Sequence, residues 1–273
     1  MVAPGSKSEQ KIGVAHFSAI SLTPSDFAKA AAGAGFSRVG LRLNPAFPGA
    51  PYYELPVGGR AAEELKAVLR GEALEVFDIE FFVIDPSFNA LSLEPIMAAA
   101  ANIGAKRLSV CGDDPERSRL QSNFTEFCGL ASGYGLAVDI ENMGWRTVRT
   151  FADSVNLLKS SGAPNVGALV DGVHFFRNGG TLTSLRAEIG RVKHVQLCDV
   201  AGPAPSTAEA MLTEARGKRL APGEGELPLG ELIAITDGAA SVSVEVPLSG
   251  SADAEDHLKR LFEGASRIFK PDQ

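Results

Sequence analysis

The sequence contains no apolar run approaching the ~18 residues that a membrane-spanning helix needs, which argues against a membrane span. Its first ten residues are polar and lack the apolar core of a secretory signal, so residues 1–10 read as a loose, flexible tail. Cysteine is scarce. Cys111, Cys128 and Cys198 are odd in number and show no paired spacing, which excludes a disulfide framework and suits a reducing compartment. Positive charge is in deficit, with 26 Lys and Arg against 33 Asp and Glu for a net charge of −7. A nucleic-acid groove would require a basic footprint, so that class of partner is set aside. An anionic small substrate is not, since it needs only one or two local cations. A Gly-rich phosphate turn is also missing: the first apolar stretch ends in His16-Phe17-Ser18, with no G-x-G-x-x-G. A soluble, cytoplasmic protein is the expectation.

What is present is a repeated rhythm. The chain has 273 residues, 45% hydrophobic and 22% charged, enough for one large α/β barrel or two ordinary domains. A short strand at Lys11–His16 leads to a helix opened by Thr23 as N-cap and Pro24 at the first helical position. Strands then follow at Ser37–Leu43, Leu74–Phe82, Arg107–Cys111, Leu136–Glu141, Val166–Asp171, Val192–Cys198 and Ser241–Val246, each followed by a helical stretch. The helices after strands two to eight are read at Arg60–Leu69, Leu93–Ile103, Pro115–Tyr134, Val148–Ser161, Leu182–Ile189, Leu229–Thr236 and Asp253–Phe269. Between Cys198 and Leu229 lies a long loop. Eight strand–helix units with no compositional break predict a single (β/α)8 TIM barrel over residues 11–273.

Alternate strand residues of such a barrel face the interior. The apolar pairs Val39/Leu41, Phe77/Ile79, Leu108/Val110, Val138/Ile140, Ala168/Val170, Val195/Leu197 and Val242/Val244 are assigned to the helix side. The interior set then ends in Arg42, Glu80, Cys111, Glu141, Asp171, Gln196 and Glu245, at the carboxyl-terminal rim where barrel enzymes carry their chemistry. Burying so many acids requires a shared countercharge. Glu141, Asp171, Gln196 and Glu245 sit on consecutive strands and all coordinate through oxygen. They predict a divalent metal site that favours Mn²⁺, with Mg²⁺ or Co²⁺ as alternatives.

Glu141-Asn142 at strand five, Asp171-x-x-His174 at strand six, His194-Val-Gln196-Leu-x-Asp199 at strand seven and Val244-Glu245-Val246 after a Pro222-Gly223-Glu224-Gly225 turn resemble one family. It is the xylose isomerase-like TIM barrels, also called sugar phosphate isomerase/epimerase. The resemblance runs from roughly Lys11 to Phe269 and implies that Glu141, Asp171, Gln196 and Glu245 are the metal ligands. Many members carry His where this chain has Gln196, and hydroxypyruvate-isomerase-like members resemble it in using Gln. The implied chemistry is proton transfer beside a carbonyl, with Glu141 and Glu245 as the acid/base pair acting on a small polyhydroxy carbonyl substrate. The resemblance further implies that His174 contacts substrate.

Other rim residues join the expected substrate site: His16 at the end of strand one, Glu80 as a hydroxyl partner or as the charge partner of Arg42, and Trp145 as a wall. Arg219, rather than Arg216, is expected to reach over the substrate as a clamp. Cys111 and Cys198 read as small buried residues. One layer deeper, Asp78, Asp139 and His194 are expected to meet and share protons. A lyase using the same site, a dehydratase or an eliminase, is the competing enzymatic reading. A non-catalytic sugar-binding barrel is another class. An abasic-site endonuclease is disfavoured by the four histidines and the negative charge. An exposed barrel helix leaves a homodimer open.

Overall fold

Each strand pairs in parallel with its neighbour in sequence, and the last closes on the first, so the eight strands form a complete barrel in the order β1 to β8. They are β1 (Ile12–Val14), β2 (Arg38–Arg42), β3 (Glu75–Ile84), β4 (Arg107–Gly112), β5 (Ala137–Glu141), β6 (Val166–Asp171), β7 (Val192–Leu197) and β8 (Ser241–Val244). The computed structural model describes residues 11–250 and 253–269; the tail expected at residues 1–10 lies outside them. The closing register sets Gly13 against Ser243 and Val14 against Val244.

Ten α-helices of the described residues surround the barrel: α1 (Pro24–Ala34), α2 (Arg60–Gly71), α3 (Glu94–Asn102), α4 (Arg117–Gly133), α5 (Phe151–Ser161), α6 (Gly172–Arg177), α7 (Leu182–Ala187), α8 (Ala208–Gly217), α9 (Leu229–Thr236) and α10 (Ala254–Phe269). No helix among the described residues is long and apolar enough to cross a membrane. The core lies between strands and helices. Leu41, Ile79, Leu108, Ile140, Val170 and Val195 are wholly buried there, as expected for parallel strands covered on both faces.

Local chemistry sets most boundaries. Thr23 accepts the amide of Asp26 at 3.2 Å, and α1 ends on Gly35 at a φ of 106°, where a side chain would be strained and would also press on Phe262. α5 starts at Phe151, three residues later than its sequence pattern predicts, because Thr150 and Asp153 form a capping box. The preceding residues are held to the barrel instead: the Val148 amide donates to Gly112 O at 2.9 Å. The stretch expected as an irregular loop after β7 contains α8, capped by Thr207 and built from the helix formers Ala208-Glu209-Ala210-Met211-Leu212.

Two departures affect the site. The β2–β3 register runs Val39↔Val76 and then Leu41↔Ile79, an irregularity that inserts a residue into β3. Phe77, expected on the helix side, therefore lies edge-on to His194 with ring centroids 4.4 Å apart. At the other end of the barrel, β8 stops at Val244, and Glu245 follows it with its amide donating to Leu197 O at 3.1 Å.

Candidate active site

The carboxyl-terminal rim brings Glu141 from β5, Gln196 from β7 and Glu245 from beyond β8 to one pocket, together with Glu80 and Ser109 from β3 and β4. The pocket has ≈ 600 Å³ of non-atom space, its open mouth included. Asp171, paired in register with Gln196 across β6 and β7, sits behind this wall under Arg219. His174, Trp145 and Arg219 also line it.

Arg219 organises the acids. Its Nη1 donates to Asp171 Oδ2 at 2.7 Å and to Glu245 Oε2 at 3.0 Å, and its Nη2 lies 3.2 Å from His174 Nε2. That contact makes Nε2 the acceptor of a neutral imidazole. Burial lowers the His174 pKa to about 4, with Asp171 opposing and Arg219 reinforcing that shift. Burial also raises Asp171, but Arg219 and His174 outweigh it and hold this carboxyl below its ordinary range. Glu141 has no such partner. Burial and the facing charges of Asp171 and Glu245 push it well above the carboxylate range, and its Oε1 is buried without a hydrogen bond. Glu245 is raised by burial, with Arg219 pulling the other way.

These residues fit a divalent cation. Ligand-capable atoms of Glu141, Asp171 and His174 all lie within 4.8 Å of one another. Glu141, Asp171 and Glu245 oppose the single charge of Arg219, so the cluster is short by two positive charges. A divalent ion supplies them and gives the unpartnered Glu141 oxygen a ligand. The oxygen-rich set with one imidazole suits Mn²⁺, Mg²⁺, Co²⁺ or Zn²⁺. His174, expected only against the substrate, thus joins the residues able to hold the ion. Gln196 lines the pocket with no side-chain hydrogen bond among the described residues.

Glu80 serves as Arg42's partner, accepting from Nη2 at 3.1 Å, while its Oε1 faces no partner; burial raises this carboxyl well above its usual range despite Arg42. Trp145 stands edge-on to His174 with centroids 5.0 Å apart, and its Nε1 is unpartnered. His16 departs from its expected substrate contact. It is fully buried, stacked between Phe27 and Tyr53, with Nε2 on Leu22 O at 3.0 Å and Nδ1 3.4 Å from the Arg42 amide. The chain leaves the barrel at Ala15 and turns into a 3₁₀ turn, which carries this ring outside the pocket. Burial lowers its pKa to about 4.

In the deeper layer Asp78 Oδ2 accepts from Ser109 Oγ at 2.7 Å and lies 3.9 Å from His194 Nδ1. His194 Nε2 is 2.7 Å from Ser243 Oγ. Asp139 departs from the expected trio, since Arg107 takes both its oxygens.

The sequence reading gave no role to Asp199, Gly225 or Arg146. Asp199 pins the turn that delivers Arg219, accepting the amides of Val200 at 2.9 Å, Leu227 at 3.0 Å and Gly223 at 3.0 Å. A Cβ on Gly225 would fall 2.3 Å from Asp199 Oδ1, so this turn needs glycine. Arg146 enters the pocket beside Trp145 and is anchored by Asp113 at 2.5 Å. Its only sequence signal was adjacency to the Glu141-Asn142 strand end.

Comparison with known proteins bears on the fold and the family. An inosose isomerase of Halalkalibacterium halodurans is 27% identical over 143 residues, covering 50% of this chain and 49% of that protein. The alignment thus spans about half the length of that relative. A fusion of a xylose isomerase-like TIM barrel with 4-hydroxyphenylpyruvate dioxygenase superposes with a TM-score of 0.80 at 18% identity, covering 96% of this chain and 43% of the fusion. The IolI protein, solved with a bound zinc atom, gives a TM-score of 0.76 at 15% identity over 95% of this chain and 98% of its own. At these identities the two structures speak for the fold. The xylose isomerase-like TIM barrel family model matches residues 28–263, and the chain belongs to that family.

Proposed function

We propose that this chain is a divalent-metal-dependent isomerase or epimerase of a small polyhydroxy carbonyl compound, with Mn²⁺ as the preferred ion. The observation that carries the reading is the pair Glu141 and Glu245. Two buried carboxyls, one ending β5 and one just after β8, line one pocket, and each keeps an oxygen free of protein hydrogen bonds. The likeness to an inosose isomerase supports the same reaction class.

Glu141, Asp171 and Glu245, with Gln196 or His174, would hold the ion. When bound, it would supply Lewis acidity that makes a C–H next to a carbonyl more acidic. The protein's own part is positioning and proton transfer. One of Glu141 and Glu245 takes the substrate proton and the other returns one, on the same carbon for epimerisation or on its neighbour for isomerisation. Arg219 fixes Glu245 Oε2, so that Glu245 reaches the substrate through its other oxygen. His174, neutral at physiological pH and with Nε2 accepting from Arg219, donates to a substrate hydroxyl through its Nδ1–H. Trp145 and Phe17 wall off water with apolar surface. Three free, buried cysteines suit a reducing cytoplasm.

Incubation with candidate ketoses and inososes in D₂O tests this. Deuterium entering at the carbon beside the carbonyl, and its loss in Glu141→Gln and Glu245→Gln by about 10²-fold or more, is the expected result. An unsaturated product without solvent exchange into recovered substrate would mark a lyase instead.

A further inference from the structure

Arg216 occupies the last turn of α8 and extends over the pocket mouth, its Cζ 4.1 Å from the ring centroid of Phe47 in the β2–α2 loop. No carboxylate pairs with it among the described residues. Arg219, the neighbour expected to clamp substrate, is by contrast committed to Asp171 and Glu245. Two more guanidiniums line the same pocket. Arg42 is 6% exposed and gives Nη2 to Glu80 but leaves Nε without a partner. Arg146 gives Nη1 to Asp113 and also leaves a buried Nε unpartnered. The buried Nε1 of Trp145 is a third donor without an acceptor.

We propose, resting on the reading of the site as one for a polyhydroxy carbonyl compound, that the substrate carries an anionic group, a carboxylate or a phosphate monoester. Arg216 and Arg146 receive it, with Arg42 behind them. Buried N–H donors without acceptors are costly, and a planar or tetrahedral anion accepts from several at once. The three cations also oppose one another: burial and the nearby charges of Arg146 and Arg42 disfavour the charged form of Arg216. An anion between them removes that strain. Charge counting agrees. Arg42, Arg146, Arg216 and Arg219 with a divalent ion exceed Glu80, Glu141, Asp171, Glu245 and Asp113 by one positive charge.

A purely structural role, completing the α8 carboxyl terminus or stacking on Phe47, would account for Arg216 alone. It leaves the donors of Arg42, Arg146 and Trp145 unexplained.

Titration calorimetry of the full chain with Mn²⁺, using erythritol, erythronate and erythritol 4-phosphate as probes, tests the proposal. One of the two anions should bind at least about tenfold more tightly than erythritol, the scale of one charge-assisted contact. Arg216→Gln and Arg146→Gln should each remove most of that advantage while changing erythritol affinity far less, and Arg216→Lys should retain part of it. Which anion wins names the group. Equal binding of all three probes, or an anion preference that persists in both glutamine variants, overturns the proposal. The Mn²⁺ affinity measured beforehand keeps the two readings apart. Mn²⁺ binding without anion preference sinks only the anion site, and absence of Mn²⁺ binding counts against the metal site itself.

Discussion

Arg219 Nη1 lies 2.7 Å from Asp171 Oδ2, with the two side chains 3% and 0% exposed. A residue from the segment between β7 and β8 thus neutralises the end of β6, and the same nitrogen reaches Glu245. Removing one partner of a buried pair leaves the other charge desolvated.

Arg219→Met should therefore lower metal-free stability by about 3–5 kcal/mol, because buried Asp171 and Glu245 lose the guanidinium that pairs with both. A divalent cation should recover more stability in the variant than in the wild type, since it takes over the missing charge. Urea unfolding with and without Mn²⁺ measures both effects. Equal stabilisation by Mn²⁺ in the two proteins would contradict the shared-charge reading.

Asp199 makes a second test, aimed at the turn rather than the ligands. Asp199→Ala strips the acceptor from three amides and should cost about 1–3 kcal/mol or more. Metal affinity should rise, because a displaced Arg219 no longer competes with the cation for Asp171 and Glu245. Retention of wild-type Mn²⁺ affinity in the folded variant would separate the turn from the site.

Barrel interior packing gives a third prediction. A Cβ at Gly40 would lie 2.3 Å from Asp78 Oδ1 and 2.8 Å from Glu80 Oε1, whereas one at Gly129 on α4 meets nothing within 4 Å. Gly40→Ala should destabilise by about 1–3 kcal/mol through overpacking. Gly129→Ala should stabilise by about 0.4–1 kcal/mol. Thermal melts of the two variants decide; similar shifts would refute the interior placement of Asp78.

The pH profile follows from Asp78. Burial raises its pKa from 3.8 to about 7, with Ser109 opposing and the charges of Asp139 and Glu245 adding to the rise. The folded state thus holds a proton that the unfolded state has lost between about pH 4 and 7. Stability from this group falls as pH rises through that window, by up to about 4 kcal/mol. Asp78→Asn should remove the fall, so its Tm should gain on the wild type from pH 5 to pH 8. A constant difference in Tm across that range would contradict the assignment.

Much of this arrangement was legible in the chain because strand side chains alternate with a period of two. That periodicity, with helical stretches between, specified the eight-stranded barrel, and it placed Glu141, Gln196 and Glu245 in phase at one rim. It failed where the period breaks. The extra residue in β3 turns Phe77 to the interior, and no local pattern announces a bulge. His16 was misplaced because the strand ends two residues before it. That carboxylates hold Arg219 and leave Arg216 without one among the described residues depends on three-dimensional partners that sequence proximity does not show. α8 was readable from Thr207 and the helix formers after it, but Gly/Pro-rich flanks obscured it.

Anomalous diffraction from a crystal soaked in Mn²⁺ tests the central claim most directly. One strong peak is expected within coordination distance of Glu141, Asp171 and Glu245, completed by Gln196 or His174. A crystal in which those carboxylates keep only Arg219 and no Mn²⁺ peak appears among them would contradict it.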